Sequence, residues 1–145
     1  MRPAVRSVLA ILAGLLSAFV VIALVEAIGV RFYPPQPGMD PRDPNSIRAA
    51  MANLPRGAML CVLVAYAAGS VVGGWVAARF APRAKLTHGM IVGALLLAAG
   101  VLNMSTIPHP GWFWASSIAI YLLGSWSGAR AAGAGPSASG SPGAA

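Results

Sequence analysis

Four apolar segments dominate the chain, and each is about as long as a bilayer is thick. They run over residues 7–30, 58–78, 88–107 and 112–129. About 20 apolar residues at a rise of 1.5 Å per residue cross the roughly 30 Å hydrocarbon core. Because every backbone N–H and C=O inside lipid must be bonded within the protein, such segments must be helices. The pattern therefore predicts an all-α, polytopic membrane protein with a bundle of four transmembrane helices.

The first loop changes character halfway along its length. Its first half is rich in proline, which excludes both helix and central strand. In the second half Asp43 is a suitable helix cap with Pro44 at the first helical position, and Ile47 and Met51 then share one face. We therefore predict a short amphipathic helix over about residues 44–53, on the extracytoplasmic side. It lies on the outer membrane surface or caps the bundle; the alternative is a lid or a partner-docking element.

Small residues recur along the predicted transmembrane helices. In the second segment Ala65, Gly69, Gly73 and Ala77 follow one another at four-residue intervals. Such a row lets a neighbouring helix backbone approach closely. We expect these faces to pack the helices of the bundle. The alternative is that one of them also forms an interface with a second copy or with another membrane protein.

Composition supports the membrane class and limits the partners. With 57% hydrophobic and 9% charged residues, the chain has too little polar surface for a water-soluble globule. The formal net charge of +7 does not indicate nucleic acid, because the basic residues are scattered at segment ends and form no stripe. The lipid bilayer is the expected partner. The single cysteine, Cys61, allows no intrachain disulfide and no C-x-x-C metal site, and we predict no cofactor.

The distribution of basic residues predicts that both termini are cytoplasmic. In that orientation the first helix keeps Arg2 and Arg6 on the cytoplasmic flank and Arg31 on the other, as the positive-inside rule favours. We interpret the first apolar segment as a retained helix rather than a signal peptide, because its apolar run is longer than a signal h-region. The transmembrane domain then covers residues 1–130. Residues 131–145 contain only Ala, Gly, Ser and Pro, and are predicted to form a disordered tail.

Glu26 is the one ionisable side chain well inside an apolar segment, and it is the centre of the candidate site. Counting inward equally along the other segments brings Tyr66, Asn103 and Ser116 or Ser117 to a similar depth, so these side chains are predicted to share a polar layer. His109 lies in a Pro-His-Pro turn on the same side. Glu26 with His109 would make a proton relay or a weak metal site. The alternative is a carboxyl that is neutral or hydrogen-bonded and fixes helix packing.

Several of these residues carry a resemblance to a known group of proteins. The matching motifs are Val25-Glu26-Ala27-Ile28-Gly29, Tyr33-Pro34-Pro35 with Gly38, Asp40-Pro41, Asp43-Pro44, Asn103-Met104, Ile107-Pro108-His109-Pro110 and Trp112-Phe113. Over roughly residues 7–130 the chain resembles a group of small, uncharacterised four-helix proteins of the bacterial inner membrane. The resemblance implies a multi-pass protein of that membrane and assigns no activity and no functional residue.

Three classes of function remain open at this stage. A structural or accessory subunit of the inner membrane fits the lack of recognisable chemistry best. A small proton- or ion-coupled transporter using Glu26 is the alternative. A membrane enzyme ranks third, because the sequence has no H-E-x-x-H motif, no thiol pair and only three acidic residues.

Overall fold

The structure, a computed structural model, describes residues 2–40 and 42–134. These residues form an all-helical fold with five helices, which are α1 (Pro3–Phe32), α2 (Pro44–Ala52), α3 (Arg56–Phe80), α4 (Lys85–Thr106) and α5 (Gly111–Ala131). By length and composition α1, α3 and α4 are able to cross a membrane. The fourth predicted span, α5, does not meet the same criterion. Its serines and tryptophans lower its apolar character, although its 21 residues are enough to cross the core.

Proline and a carboxylate cap set where the first two helices begin. Pro3 is the first residue of α1, a position where the missing N–H costs nothing. The Asp43 carboxylate accepts hydrogen bonds from the backbone N–H groups of Asn45 and Ser46, at 2.9 and 3.2 Å, and Pro44 follows the cap. α2 is therefore a nine-residue helix whose side chains are all exposed or half-buried.

The long helices alternate in direction. Arg6 near the start of α1 donates from Nε to the carbonyl oxygen of Phe80 at the end of α3, at 3.3 Å, so α1 and α3 are antiparallel. Residues 81–84 join α3 to α4, and residues 107–110 join α4 to α5. α3 packs against α4, α4 packs against α5, and α3 also packs against α5. α1 and α4 therefore run one way and α3 and α5 the other, with α3 in contact with all three partners.

This alternation gives the bundle two chemically different ends. At the end where α1 and α4 begin lie six basic residues, which are Arg2, Arg6, Arg79, Arg83, Lys85 and Arg130. We call it the basic end, and the opposite end, which carries α2, the loop end. The three acidic residues of the chain, Glu26, Asp40 and Asp43, all lie in or near the loop end.

Small residues bring the helix backbones into contact. Ala65 and Ala77 of α3 are fully buried. A Cβ added to Gly73 would lie 2.8 Å from the Ala18 Cβ and 2.9 Å from the Gly14 carbonyl oxygen of α1. The predicted row of small residues on α3 is therefore covered by the chain's own helices. The same packing recurs between α4 and α5, where a Cβ on Gly93 would meet α5 at 2.8 Å.

α1 turns a narrow small-residue face to the bundle and a wide apolar face outward. Its buried residues are Ala10, Gly14 and Ala18. Its exposed large apolar side chains are Val5, Val8, Leu9, Leu12, Leu16, Phe19, Val20, Leu24, Ile28, Val30 and Phe32. An apolar face of this extent is typical of a helix surrounded by lipid, because a soluble protein rarely exposes so large an apolar patch.

The predicted tail begins later than the sequence suggests. Ala131 still belongs to α5, and Lys85 donates from Nζ to the carbonyl oxygen of Ala132 at 3.4 Å. Ala134 is 5% exposed and packs with Ala78 and Ala129. Residues 131–134 therefore cover the end of the bundle, because an alanine or glycine run fits closely against small neighbours. The rest of the predicted tail, residues 135–145, lies outside the described residues.

Candidate functional site

A pair of stacked tyrosines forms the centre of the polar region. Tyr66 of α3 and Tyr121 of α5 each lie ten residues after the first residue of their helix. Because these helices run in the same direction, the two side chains reach the same depth. Their ring centroids are 5.0 Å apart with an angle of 27° between the planes, and both residues are buried. The Tyr66 hydroxyl lies near Tyr121 and the Asn103 side chain.

Glu26 of α1 is the acidic group of this region. It is half-buried, and it lies close enough to both Tyr66 and Tyr121 to act on their hydroxyls electrostatically. It also lines a cavity of about 240 Å³ between the last part of α1 and the first part of α3. We call this space the Glu26 cavity. Glu26 therefore borders an accessible space and lies near the tyrosine pair.

His109 reaches the site indirectly. Its ring stacks on Phe113, with centroids 4.8 Å apart, and Phe113 packs edge-on against Tyr66 at 6.3 Å. The Nδ1 atom of His109 lies 2.7 Å from the carbonyl oxygen of Ile107 in its own turn. These contacts do not involve Glu26. The arrangement therefore favours a structural role for His109, in which its ring supports Phe113. It does not favour a direct proton relay between Glu26 and His109.

Ser117 lies apart from the carboxyl. It is fully buried on α5, one helical turn before Tyr121, and its hydroxyl has no hydrogen-bond partner within the described part of the chain. Ser70 of α3 has the same property. Ser116 is only half-buried. Of the predicted layer, the structure thus brings together Glu26, Tyr66 and Asn103, joins His109 through an aromatic ring, and leaves the serines on the α5 side.

Sequence reasoning missed Tyr121. A tyrosine in an apolar segment is ordinarily taken as an interfacial or core residue, and Tyr121 lies in the middle of α5. The signal that identifies it is its register, because Tyr66 and Tyr121 occupy equal positions on two helices that run in parallel. That signal becomes useful only when the contact between α3 and α5 is known.

The donor set indicates what this region is able to bind. It offers one carboxyl, two phenols and one amide, which suit a ligand with hydrogen-bond donors or a positive charge. Within residues 2–40 and 42–134 no three His, Cys, Asp or Glu side chains come close enough to hold a metal ion. The chemistry of this set therefore favours an organic or monovalent cationic ligand over a divalent metal.

A second, larger cavity adjoins the Glu26 cavity. It measures about 570 Å³ and lies between the proline-rich residues after α1 and the inner face of α2. We call it the loop groove. Its lining includes Phe32, Met39 and Met51, and contains no charged side chain. Tyr33 and Leu54 line both spaces, so the groove and the Glu26 cavity meet at these two residues.

No protein-family model, no curated protein and no solved structure matches the chain. Functional inference for this chain therefore rests on its own residues.

Proposed function

We propose that the chain is a four-span integral protein of the bacterial inner membrane that acts as a structural or accessory subunit and catalyses no reaction. In this proposal α1, α3, α4 and α5 all cross the bilayer. The loop end, with α2, is extracytoplasmic, and both termini are cytoplasmic. The observation that carries the proposal is the contrast between a closed, glycine-packed interior and a wide apolar outer surface on α1.

The side chains of α5 support its inclusion as a fourth span. Two of its serines form hydrogen bonds compatible with a lipid environment. Ser125 is buried and donates to the Ser70 carbonyl oxygen at 3.3 Å. Ser127 is exposed, but its hydroxyl donates to the Gly124 carbonyl oxygen of its own helix at 2.8 Å. The outward side chains include Leu123, which is 64% exposed. Polar groups bonded internally and apolar groups turned outward are what the bilayer requires.

The basic end supports the proposed orientation. Its six Lys and Arg residues are not balanced by any acidic residue, and positive loops stay on the cytoplasmic side. Arg130 lies over the Trp126 ring at 5.2 Å from the centroid, a cation–π pair at the level where aromatic and basic anchors meet the headgroups. The amphipathic character of α2 fits the opposite interface, where Ile47 and Met51 face the loop groove.

Close packing argues against a solute pathway through the middle of the bundle. A Cβ on Gly69 would lie 2.9 Å from the Ala18 carbonyl oxygen, and one on Gly89 would lie 3.1 Å from the Gly74 carbonyl oxygen. Backbones in such contact leave no width for a solute between α3 and its neighbours α1 and α4. A protein built this way acts through its surface, which favours the accessory role.

A small proton- or ion-coupled transporter is the second candidate, and a specific observation favours it. Glu26 lines an accessible cavity and lies near the polar group made by Tyr66, Tyr121 and Asn103. Carboxyl and phenol groups in a membrane mark proton or ion sites in many transporters. This candidate needs a rearrangement that separates α3 from α1 or α5.

Two measurements on the full chain distinguish the candidates. Purified protein in liposomes with a pH gradient and an internal pH-sensitive dye should show the same proton leak as its Glu26→Gln variant if the role is accessory. In host membranes extracted with a nanodisc-forming polymer, the 14.7 kDa chain should migrate within a larger assembly of constant composition, and the variant should do the same. A proton flux that Glu26→Gln removes would overturn the accessory role and favour the transporter.

A further inference from the structure

The loop groove has the dimensions and lining of a ligand site. Its volume of about 570 Å³ falls within the range of small-molecule pockets. Its walls are aromatic, aliphatic and thioether side chains, and its polar lining residues, Gln36 and Asn53, are uncharged. The Gln36 side chain is held by α2, since its Nε2 donates to the Ala50 carbonyl oxygen at 3.4 Å. The groove is therefore suited to an apolar chain and offers no charge partner of its own.

The charge partner, Glu26, lines the adjoining Glu26 cavity. Glu26 is the one acidic residue in the sequences of α1, α3, α4 and α5. A long apolar groove that leads to a single half-buried carboxyl matches one kind of molecule, an amphiphile whose head is positively charged. A fatty acid or an anionic phospholipid would instead bring a second negative charge to the carboxyl, which is unfavourable in a medium of low dielectric constant.

We propose that the loop groove and the Glu26 cavity together form a binding site for a single-chain lipophilic amine. The alkyl chain lies against Met39, Ile47 and Met51, and the ammonium head pairs with the Glu26 carboxylate. Tyr33 and Leu54 form the neck between the two spaces. This inference is independent of the accessory role, because a subunit of an assembly and a transporter are equally able to carry such a site.

Tyr33 controls the neck through an unusual contact. Gly57 lies in the first turn of α3, and a Cβ built there would overlap the Tyr33 hydroxyl and ring. The absence of a side chain at Gly57 therefore lets Tyr33 lie flat against α3. A Gly57→Ala substitution displaces Tyr33 and alters the neck while it leaves both Glu26 and the groove walls in place.

Photo-crosslinking tests the proposal directly. Full-length protein in phosphatidylcholine nanodiscs is irradiated with dodecylamine that carries a diazirine on its chain, and the labelled peptides are located by mass spectrometry. Dodecanol and dodecanoic acid with the same diazirine are the neutral and anionic controls. We expect the amine to label residues 32–55, with competition by unlabelled dodecylamine, and each control to label that segment about tenfold less, equivalent to about 1.4 kcal/mol.

Three variants separate the parts of the site. Glu26→Gln should reduce amine labelling about tenfold. Asp40→Asn is the matched control, since it removes a carboxylate that lies outside both cavities. The Asn side-chain oxygen is still able to accept the hydrogen bond that the Arg42 backbone N–H donates to Asp40 Oδ1 at 2.9 Å. This control should leave labelling unchanged. Ala50→Phe fills the groove from α2 without touching the bundle, and should reduce labelling by amine and alcohol alike.

Each other outcome contradicts the proposal. Equal labelling by amine and alcohol that survives Glu26→Gln would show a groove for any alkyl chain, with no role for the carboxyl. Labelling spread along the outer face of α1 would show partition into lipid only. If Glu26→Gln lowers the melting temperature, its loss of labelling does not test the carboxyl, and the Ala50→Phe variant becomes the test. Unchanged amine labelling in Ala50→Phe would then overturn the proposed site.

Discussion

At the scale of single residues, the tyrosine pair brings polar groups of three helices close together. The buried Tyr66 side chain lies near Tyr121 on α5 and Asn103 on α4. Tyr66→Phe keeps the ring stack and removes a buried hydroxyl from this group, so we expect a loss of about 1 kcal/mol in the free energy of unfolding. The measurement is thermal unfolding of the purified protein in detergent. Tyr33→Phe is the control, since Tyr33 follows the end of α1 and is 38% exposed. Equal losses in both variants would contradict a special role for the pair.

Ala84 offers a second test at this scale. It has φ +45° and ψ +53°, a left-handed conformation that disfavours residues with a Cβ. Ala84→Gly should therefore raise the free energy of unfolding, by about 1 kcal/mol. The control is Ala81→Gly. Ala81 has φ −59°, so the substitution relieves no strain there, and the loss of a buried methyl group and the added freedom of the unfolded chain should lower stability. A melting temperature that falls equally in both variants would exclude relief of strain at Ala84.

The residue scale also shows the limit of what the sequence reveals about the site. Glu26, Tyr66 and Asn103 were predicted to share a layer from counting residues inward along apolar segments, and the structure brings them together. The same counting placed Ser117 in the layer. It is buried on the face of α5 that carries Phe113 and Tyr121, and its hydroxyl has no hydrogen-bond partner within the described residues. Depth follows from the helical rise, whereas direction around a helix depends on which neighbour it packs against. Tyr121 was missed for that second reason.

At the scale of helices, small residues decide how closely neighbouring backbones approach. Gly73→Ala places a Cβ 2.8 Å from the Ala18 Cβ and 2.9 Å from a backbone oxygen, so α1 must move away from α3. We expect a loss of about 1–3 kcal/mol. Gly111→Ala is the matched control, since nothing lies within 4 Å of a Cβ there. Thermal unfolding compares the two, and a Gly73→Ala protein as stable as the Gly111→Ala protein would contradict the packing of α1 on α3.

Helix positions were predictable from local signals, and helix contacts were not. The all-helical class follows from apolar segment length, and the start of α2 follows from the Asp43 cap and Pro44. α5 is harder to predict as a span, because its serines make it less apolar than a typical transmembrane helix. Only the fold shows that Ser117 and Ser125 turn inward. The residues after Arg130 show the same limit of prediction from sequence. Ala134 is buried by contacts with other helices that no local sequence pattern indicates.

At the scale of the whole molecule, the basic and loop ends predict how the protein sits in a membrane. Six basic residues and no acidic residue occupy the basic end, whereas α2, the loop groove and Glu26 belong to the loop end. Such asymmetry orients a membrane protein with its basic end in the cytoplasm. The ligand site proposed here then opens on the extracytoplasmic side, where an amine reaches it without crossing the bilayer.

The most direct test of this account is the sidedness of the two ends of α5. A reporter that is active only in the cytoplasm is fused in separate proteins after Gln36, Arg83, His109 and Arg130. Four spans with the basic end inside predict activity after Arg83 and Arg130, and silence after Gln36 and His109. Silence after both His109 and Arg130 would show that α5 does not cross the membrane, and the fully inverted pattern would place the loop end and Glu26 on the cytoplasmic side.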